Sequence, residues 1–446
     1  MLSEKLLQFI WRYRYFQYQS LHTIQGEPVE IMHPGTWNQD GHGPDFQEAS
    51  IRIGPTLWVG DVEVHLRSSD WYKHQHAGDA RYQRLILHVV YEQDLADADW
   101  LLQRFPCVEL KGRVSRSMIG QYEAWMQQLQ PIACAGVSDG PADVPQLIWT
   151  NWKERLLAER WEQEKGKRIH AWLQRTQGDW EEMAYISLAR GFGMNRNAAM
   201  FEALAMRTPH RLLARNRHIP DAAAALLFGQ AGLLQGRFQD DYPRHLQRLY
   251  AGLQHKYQLQ PLDATGWQWM RLRPANFPTI RLAQLACLID QSVHLFSRWL
   301  EAHTLEELRG FFQVKLPEYW RYHYRFDELV QHAPDHHTPH ATLSMGQAMI
   351  DHLILNVVAP LVWWYGKTRL SDDLQQKALD WMHELPTENN QIIRCWKRYG
   401  IVARHAADSQ ALYQLYKQYC LQRRCLQCTI GHHLLKRIQA VTEEGQ

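Results

Sequence analysis

The chain begins with the spacing of an amphipathic helix. Within residues 1–20, apolar residues recur at intervals of three and four positions, namely Leu6, Phe9, Ile10, Tyr13 and Phe16. Because an α-helix has about 3.6 residues per turn, this spacing places the five side chains on one side of the helix. We therefore predict a first helix that packs one apolar face against the protein.

After Thr23 the pattern changes to short apolar runs separated by turn residues. The runs are VEIM, ASIRIG, TLWVGDVEVHLR and LILHVVYE, and their length and composition are typical of β-strands. The polar segment 71–84 lies between the last two runs, contains no proline and is long enough for a helix of about three turns. Residues 1–137 are thus predicted to form an α/β module.

From Val144 onward, helical spacing replaces the strand pattern. In the segment VPQLIWTNWKERLLAERWEQ, Trp149, Trp152 and Leu156 share one face, and charged residues populate the other. We predict a large all-α domain over residues 146–446, built as one or two helical bundles and joined to the first module by the linker 138–145.

Composition and charge restrict the class of protein. The 446 residues are 45% hydrophobic, and 49 Lys and Arg against 47 Asp and Glu give a net charge of +2. Such a chain can bury a core and has too little net charge to remain unfolded. It also lacks the overall basic excess typical of many nucleic-acid-binding proteins, so contact with nucleic acid would require a local basic patch.

The apolar segments do not predict a membrane protein. The longest of them, residues 353–365, contains Asn356 and Pro360 and is shorter than the roughly 20 residues of a spanning helix. The N-terminal segment contains Glu4 and lacks the cleavage site of a secretory signal. We therefore expect a cytoplasmic protein with no membrane partner, and the sequence leaves its oligomeric state open.

One strand carries the candidate chemistry. Side chains alternate along a strand, so Asp61, Glu63, His65 and Arg67 share one face of the run 56–67. Residues two apart are about 7 Å from each other at Cα, near enough for their side chains to converge on one cation or one water. The alternative is an exposed edge face whose charges are solvated. Asp45, in the Gly-Pro-Asp-Phe turn before the preceding strand, adds a second carboxylate.

This order of a carboxylate turn, two strands, a polar segment and a further strand resembles the PD-(D/E)XK nuclease-like fold, a restriction-endonuclease-like mixed sheet flanked by helices. The resemblance implies that Asp45 and Glu63 hold a divalent cation, Mg²⁺ or Mn²⁺. His65 stands where that family has lysine. His65 would ligate the cation or accept a proton, and either Arg67 or Lys73 could replace the missing positive charge; otherwise the site is inactive.

The segment after the charged strand carries further polar residues. Asp70, His74, His76, Asp79 and Tyr82 lie there, and Asp79 to Tyr82 is loosely similar to the Gln-x-x-x-Tyr motif of RecB-like nucleases. We favour an exposed polar helix as the interpretation of His74. His88 alternates with apolar neighbours and is expected to be a core histidine.

A resemblance to one family covers nearly the whole chain. The segments GHGPDFQEASIRIG, WVGDVEVHLRSSDWYKHQHAGDARY, LILHVVYEQD, RPANFPTIRLAQLA, ILNVVAP, ENNQII and YCLQRRCLQCTIG are similar to the uncharacterised bacterial family called domain of unknown function 2851. This resemblance implies no activity.

A cysteine cluster near the C-terminus suggests a second metal site. Cys420, Cys425 and Cys428 have the spacing C-x4-C-x2-C, and His432, His433, Cys134 or Cys395 could supply a fourth ligand. Such a set could hold zinc or an iron–sulfur cluster. The alternative is three small residues buried in a terminal helix.

The sequence therefore predicts a metal-dependent phosphodiesterase that acts on DNA or RNA. The leading alternative is a non-catalytic nucleic-acid-binding or scaffolding protein that has kept the module and lost the lysine. A hydrolase of a small molecule is a third hypothesis.

Overall fold

The computed structural model describes residues 2–38, 42–74, 79–136, 140–292, 294–329 and 344–444. Contacts between Cα atoms divide the chain into two compact units. The first unit contains Met1–Trp152, Arg394–Val402 and Tyr413–Gln446, and the second contains Lys153–Ile393 and Ala403–Leu412. These units are defined by contacts and do not test the domain boundaries predicted from the sequence, 1–137 and 146–446, which stay a prediction.

A mixed sheet forms the centre of the first unit. Its strands are β1 (Val29–His33), β2 (Thr36–Trp37), β3 (Phe46–Ile53), β4 (Thr56–Arg67), β5 (Leu85–Glu92) and β6 (Cys107–Glu109). Their spatial order is β1-β3-β4-β5-β6, with β2 also paired to β3. The strands β1 to β4 pair in antiparallel fashion, whereas β4, β5 and β6 are parallel.

Strand β4 has neighbours on both edges and covered side chains on both faces. Residues 61–65 of this strand are all buried, polar and apolar alike. Parallel strands are usually covered on both faces, which explains why residues 85–90 of β5 are all buried and, apart from His88, apolar. The titratable face of β4 is therefore interior, and the alternative of an exposed charged edge is wrong at Glu63 and His65.

The first helix covers this sheet. Helix α1 (Glu4–Tyr13) packs against β4 and buries Leu6, Phe9 and Ile10. Ser3 caps it by accepting a hydrogen bond from the amide of Leu6, and the left-handed backbone of Arg14 (φ 55°) ends it. The predicted amphipathic helix is confirmed, although it is shorter than residues 1–20.

The remaining elements are mostly helical. In chain order the helices after α1 are α2 (Asp70–Lys73), α3 (Trp100–Arg104), α4 (Arg116–Gln127), α5 (Gln146–Arg160), α6 (Lys167–Arg175), α7 (Trp180–Phe192), α8 (Ala198–Arg207), α9 (His210–Arg215), α10 (Ala222–Gln230), α11 (Asp241–Tyr257), α12 (Pro278–Gln291), α13 (Leu295–Glu301), α14 (Leu305–Phe311), α15 (Gln347–Leu353), α16 (Ala359–Arg369), α17 (Asp372–Glu384), α18 (Gln391–Arg398), α19 (Ala406–Gln414) and α20 (Thr429–Glu444). A small hairpin, β7 (His323–Arg325) with β8 (Glu328–Leu329), also belongs to the second unit.

The core of the second unit is made of helices that are apolar on every side. Every residue of α10 is buried, and α12 and the helix that ends in α16 are buried along most of their length. Among the described residues, Gln347–Arg369 is long and apolar enough to cross a membrane by length and composition alone, but 72% of its apolar window is buried inside the protein. Such burial is typical of a core helix.

The fold class is confirmed at the level of an N-terminal α/β module and a helical remainder. The predicted strands 56–67 and 85–92 are confirmed as β4 and β5. The predicted three-turn helix over 71–84 is wrong within the described residues, because α2 ends at Lys73 and a separate 3₁₀ turn, Ala80–Tyr82, follows. Asp79 starts that turn by accepting a hydrogen bond from the amide of Arg81.

Candidate functional site

The site lies where α1, the start of β3, and the middle of β4 meet. Glu63 is 4% exposed and His65 is fully buried. Both side chains point to the same face of β4 because they are two residues apart. The pairing of β4 in the sheet therefore places the carboxylate of Glu63 and the imidazole of His65 in the interior of the first unit.

Asp45 and Glu63 are held together through the backbone. The amide of Asp45 donates to Oε2 of Glu63 over 3.0 Å, and the amide of Val64 donates to Oδ2 of Asp45, also over 3.0 Å. The side chain of Gln8 on α1 donates to Oδ1 of Asp45 over 2.7 Å. The two predicted acidic residues are thus immediate neighbours, and Asp45 also connects the helix to the sheet.

His65 lies at the centre of a row of three imidazoles. Its Nδ1 is 2.9 Å from Nε2 of His88 on β5, and its Nε2 is 3.1 Å from Nδ1 of His74 just after α2. Trp71 packs against the rings of both His65 and His88. Hence His88 is a buried histidine as expected, but it contacts His65 directly, and His74 lies closer to the site than its assignment to an exposed polar helix suggested.

Three residues bring ligand atoms close together at one side of His65. One donor atom from each of Glu4, His65 and His74 lies within 4.8 Å of the others. Oε1 of Glu63 is 3.6 Å and Oε1 of Glu4 is 3.9 Å from Nε2 of His65. Two nitrogen ligands at about 2.1 Å from one ion lie roughly 3.0 to 3.4 Å apart, so the 3.1 Å between His65 and His74 fits a shared cation.

The electrostatics of this region disfavour negative charge. Burial raises the pKa of Glu63 to about 8, and the nearby charge of Glu4 adds to the shift, while the hydrogen bond from Asp45 opposes it. The pKa of Tyr82 is also raised, by burial first and then by Glu63 and Asp45. Carboxylates crowded in a site of low dielectric are a common feature of functional sites.

Other predicted residues lie at the margin of the site. Arg67 is exposed at the end of β4, where its amide donates to Asp70, and its neighbour across the strand pair is Glu92. Lys73 forms an ion pair of 2.6 Å with Asp70. Asp61 is buried and accepts a hydrogen bond from the amide of Glu48. His76 lies outside the described residues.

The cysteines show no metal cluster in the part of the chain that the structure describes. Four sulfurs around zinc would lie about 3.8 Å apart, yet no group of three described donor atoms within 4.8 Å includes Cys420, Cys425 or Cys428. Burial raises the pKa of all three thiols, to about 12 for Cys425. The predicted cysteine site, with zinc or an iron–sulfur cluster, is therefore not supported, and these residues are cysteines outside disulfides, with Cys428 buried and the other two partly buried.

His432, one of the residues predicted as a fourth ligand of the cysteine site, has other contacts. Nε2 of His432 lies 2.6 Å from the hydroxyl oxygen of Tyr15, and its ring packs edge-on against Phe9 and at a tilt against Tyr13. This histidine packs against the first helix and the residues after it.

Sequence reasoning missed Glu4 and Gln8. Both lie on the polar face of an amphipathic helix, where charged and amide side chains are ordinarily solvated. A weak signal existed, because α1 is strongly amphipathic and must pack on some apolar surface, but nothing in its own sequence shows that the surface is β4.

The comparisons with known proteins identify a family without an activity. A family model described as a protein of unknown function, DUF2851, matches residues 4–391. No curated protein and no solved structure matches the chain.

Proposed function

The chain belongs to the DUF2851 family of proteins of unknown function, and we propose that it is a metal-dependent phosphodiesterase that acts on DNA or RNA. Asp45, Glu63 and His65 are the residues that we assign to the reaction. Glu4 and His74 join them as ligands that only the folded structure brings near. The PD-(D/E)XK-like character of the module is part of this proposal.

The observation that carries the proposal is the group formed by Glu4, His65 and His74 beside the carboxylate of Glu63. Two proton arrangements satisfy the imidazole row. If His88 donates to Nδ1 of His65, then Nε2 of His65 carries a proton toward the carboxylates. If Nδ1 of His65 donates to His88 instead, the lone pair of Nε2 can accept from Nδ1 of His74 or bind a cation that the neighbouring carboxylates also ligate.

The donor set indicates which metal would fit. Imidazole nitrogen combined with carboxylate oxygen favours Mn²⁺, Fe²⁺ or Zn²⁺ over Mg²⁺, which prefers oxygen ligands. A divalent cation held there would polarise a phosphoryl oxygen and lower the pKa of a bound water. The chain itself would then fix the cation through Glu4, His65 and His74, with Glu63 placed to accept a proton from the attacking water.

Arg67 is the residue of this proposal that would contact the substrate. It lies two positions beyond His65 on the same strand and is exposed. A guanidinium there would pair with phosphate oxygens and steady the charge that develops on the phosphoryl group.

The alternative function, binding of nucleic acid without cleavage, is favoured by one observation. Position 65 holds histidine where the PD-(D/E)XK pattern has lysine, and the imidazole is fully buried rather than available to a substrate. This alternative predicts association that weakens with increasing salt, because phosphate contacts release counterions.

The deciding experiment is a cleavage assay on single-stranded DNA, double-stranded DNA and RNA with added Mn²⁺, Mg²⁺ or Zn²⁺. We expect Glu63→Gln, which has nearly the same shape, to lower the rate at least a hundredfold. Glu30→Gln is the control, since Glu30 is exposed on β1, where it pairs with Arg52 at the surface. Full activity in Glu63→Gln would refute the proposal, and salt-dependent binding with no cleavage by the wild type would support the alternative.

A further inference from the structure

The second unit contains a cavity of about 400 Å³ that the sequence did not suggest. It lies between the helix formed by α5 and α6, helix α7, and the helix formed by α15 and α16. Its volume is within the range of small-molecule binding sites. Ile169, Trp172 and Leu361 form an apolar part of its wall.

Four cationic side chains line the cavity. They are Arg160, Lys165, Arg168 and Arg190, and Glu164 is the one acidic residue among the described lining residues. Arg160 is anchored, because its Nε donates to Gln410 over 2.6 Å and its Nη1 pairs with Glu164 over 2.8 Å. Arg190 pairs with Glu202 behind the wall. Arg168 is exposed and so is available to a ligand.

Two π-helical turns face this cavity. Trp161–Gly166 separates α5 from α6, and Ile354–Val358 separates α15 from α16. Such turns cost hydrogen bonds that a regular helix would make, and they occur often at functional sites. Each of the two turns contributes polar lining residues, Lys165 from the first and Asn356 from the second.

The second turn also explains how Lys165 is held. In a regular α-helix the carbonyl of Asn356 would accept from the amide of residue 360, but residue 360 is proline and has no N–H. Nζ of Lys165 donates to that carbonyl instead, over 2.7 Å. The ammonium is thereby fixed at the cavity wall.

Burial and neighbouring positive charges both lower pKa values at the cavity wall. The pKa of Lys165 is lowered to about 7, mainly by burial and then by the charge of Arg160; Glu388 and Glu164 oppose this shift, and Arg168 adds to it. Burial likewise lowers the pKa of His352 to about 4, followed by the charges of Lys165 and Arg281.

One buried polar atom points to a missing hydrogen-bond partner. Ser187 on α7 lines the cavity, is 7% exposed, and its hydroxyl has no partner among the described residues. Most buried hydroxyls are paired, and a donor or acceptor from a ligand in the cavity would satisfy this one.

We propose that this cavity is a binding site for a small phosphomonoester, with Lys165, Arg168 and Arg190 facing the phosphate and Trp172 with its apolar neighbours facing the organic group. A single carboxylate would need less positive charge than the wall offers. Guanidinium groups match the oxygens of a phosphate in paired hydrogen bonds, which favours the phosphate. This site is separate from the residues assigned to phosphodiester cleavage and does not depend on that activity.

The test uses calorimetric titration of the full chain with adenosine 5′-monophosphate, with adenosine and inorganic phosphate as comparison probes. We expect the monophosphate to bind at about millimolar concentration or below and adenosine to bind much more weakly. Arg168→Gln should weaken binding about tenfold or more, since a hydrogen bond to a charged group is lost. Arg175→Gln is the matched control, because Arg175 lies exposed on the same helix, α6, and does not line the cavity.

A second measurement tests Lys165 separately. Contact with phosphate favours the ammonium form, so binding near pH 8 should take up a fraction of a proton, visible as a dependence of the heat on the ionisation enthalpy of the buffer. Lys165→Met should abolish this uptake. Equal binding of adenosine and its monophosphate, no binding of any phosphate-bearing probe, or unchanged affinity in Arg168→Gln would overturn the proposal.

Discussion

Nδ1 of His65 lies 2.9 Å from Nε2 of His88, and both rings are fully buried. The two residues are on the adjacent parallel strands β4 and β5, where His88 is opposite Glu63. One imidazole is therefore oriented by another, and the nitrogen of His65 that faces Glu4, Glu63 and His74 is fixed in direction. An orienting partner of this kind commonly tunes a metal-binding histidine.

This relationship predicts the effect of replacing His88. His88→Leu introduces an apolar side chain of similar size and so removes the hydrogen-bond partner of Nδ1 of His65. We expect affinity for Mn²⁺ or Zn²⁺, measured by calorimetry, to fall about ten- to a hundredfold. The free energy of unfolding should decrease by about 1 to 3 kcal/mol because a buried polar atom is left unpaired. His255→Leu, at an exposed position of α11, should leave metal affinity unchanged.

Asp45 makes a different prediction, because its carboxylate stabilises the fold as well as the site. Its two oxygens accept from Val64 and Gln8. Asp45→Asn offers only one acceptor oxygen and turns an NH₂ group toward one of these donors. We expect the midpoint of urea unfolding to fall, by an amount that corresponds to a loss of about 1 to 3 kcal/mol in the free energy of unfolding. The exposed Asp97→Asn should show no shift, and an equal shift in both variants would contradict the assignment.

Four strands of the first unit, β1, β3, β4 and β5, could be predicted from the sequence, and the reason is local, whereas the short β2 and β6 were not predicted. β4 and β5 are long runs with strand composition, and turn residues bound them. Alternation alone could not show that Glu63 and His65 are buried, because an exposed charged face has the same pattern. Burial depends on α1 and β5, whose contacts with β4 are not encoded in the spacing within β4.

The site residues were predictable only in part. Asp45 and Glu63 could be proposed as neighbours because a Gly-Pro-Asp turn and a charged strand are local signals, whereas Glu4 approaches His65 across 61 positions of sequence (65 − 4). The cysteine spacing failed for the opposite reason. C-x4-C-x2-C is compatible with a tetrahedral site, but spacing does not determine how closely the thiols approach, and among the described residues no three of these donor atoms lie within 4.8 Å of one another.

His352 predicts a pH dependence of stability. Its pKa is lowered to about 4 by burial and by Lys165 and Arg281, against about 6.5 when unfolded. Between these values the unfolded chain binds more protons than the folded chain, so stability is present above about pH 6.5 and is lost as the pH falls toward 4. At pH 5 this loss is about 2 kcal/mol for the one group.

Replacing His352 separates its contribution to the pH dependence of stability from that of the other titrating groups. His352→Gln should reduce the difference in unfolding free energy between pH 7.5 and pH 5 by about 2 kcal/mol. His218→Gln, at an exposed position, should keep the wild-type difference. A wild-type pH dependence in His352→Gln would show that the buried imidazole does not resist protonation.

Two glycines on neighbouring helices predict opposite effects of the same substitution. A Cβ at Gly229 on α10 would lie 2.1 Å from the ring of Tyr250, whose hydroxyl is held by Gln230, whereas a Cβ at Gly252 on α11 would meet nothing within 4 Å. Gly229→Ala should therefore lower the free energy of unfolding by about 1 to 3 kcal/mol or more through overpacking. Gly252→Ala should raise it by up to about 1 kcal/mol, because alanine favours the helix. Thermal unfolding of both variants checks this, and a change of the same sign in each would mean that helix propensity, not the close approach of α10 and α11, decides the outcome at Gly229.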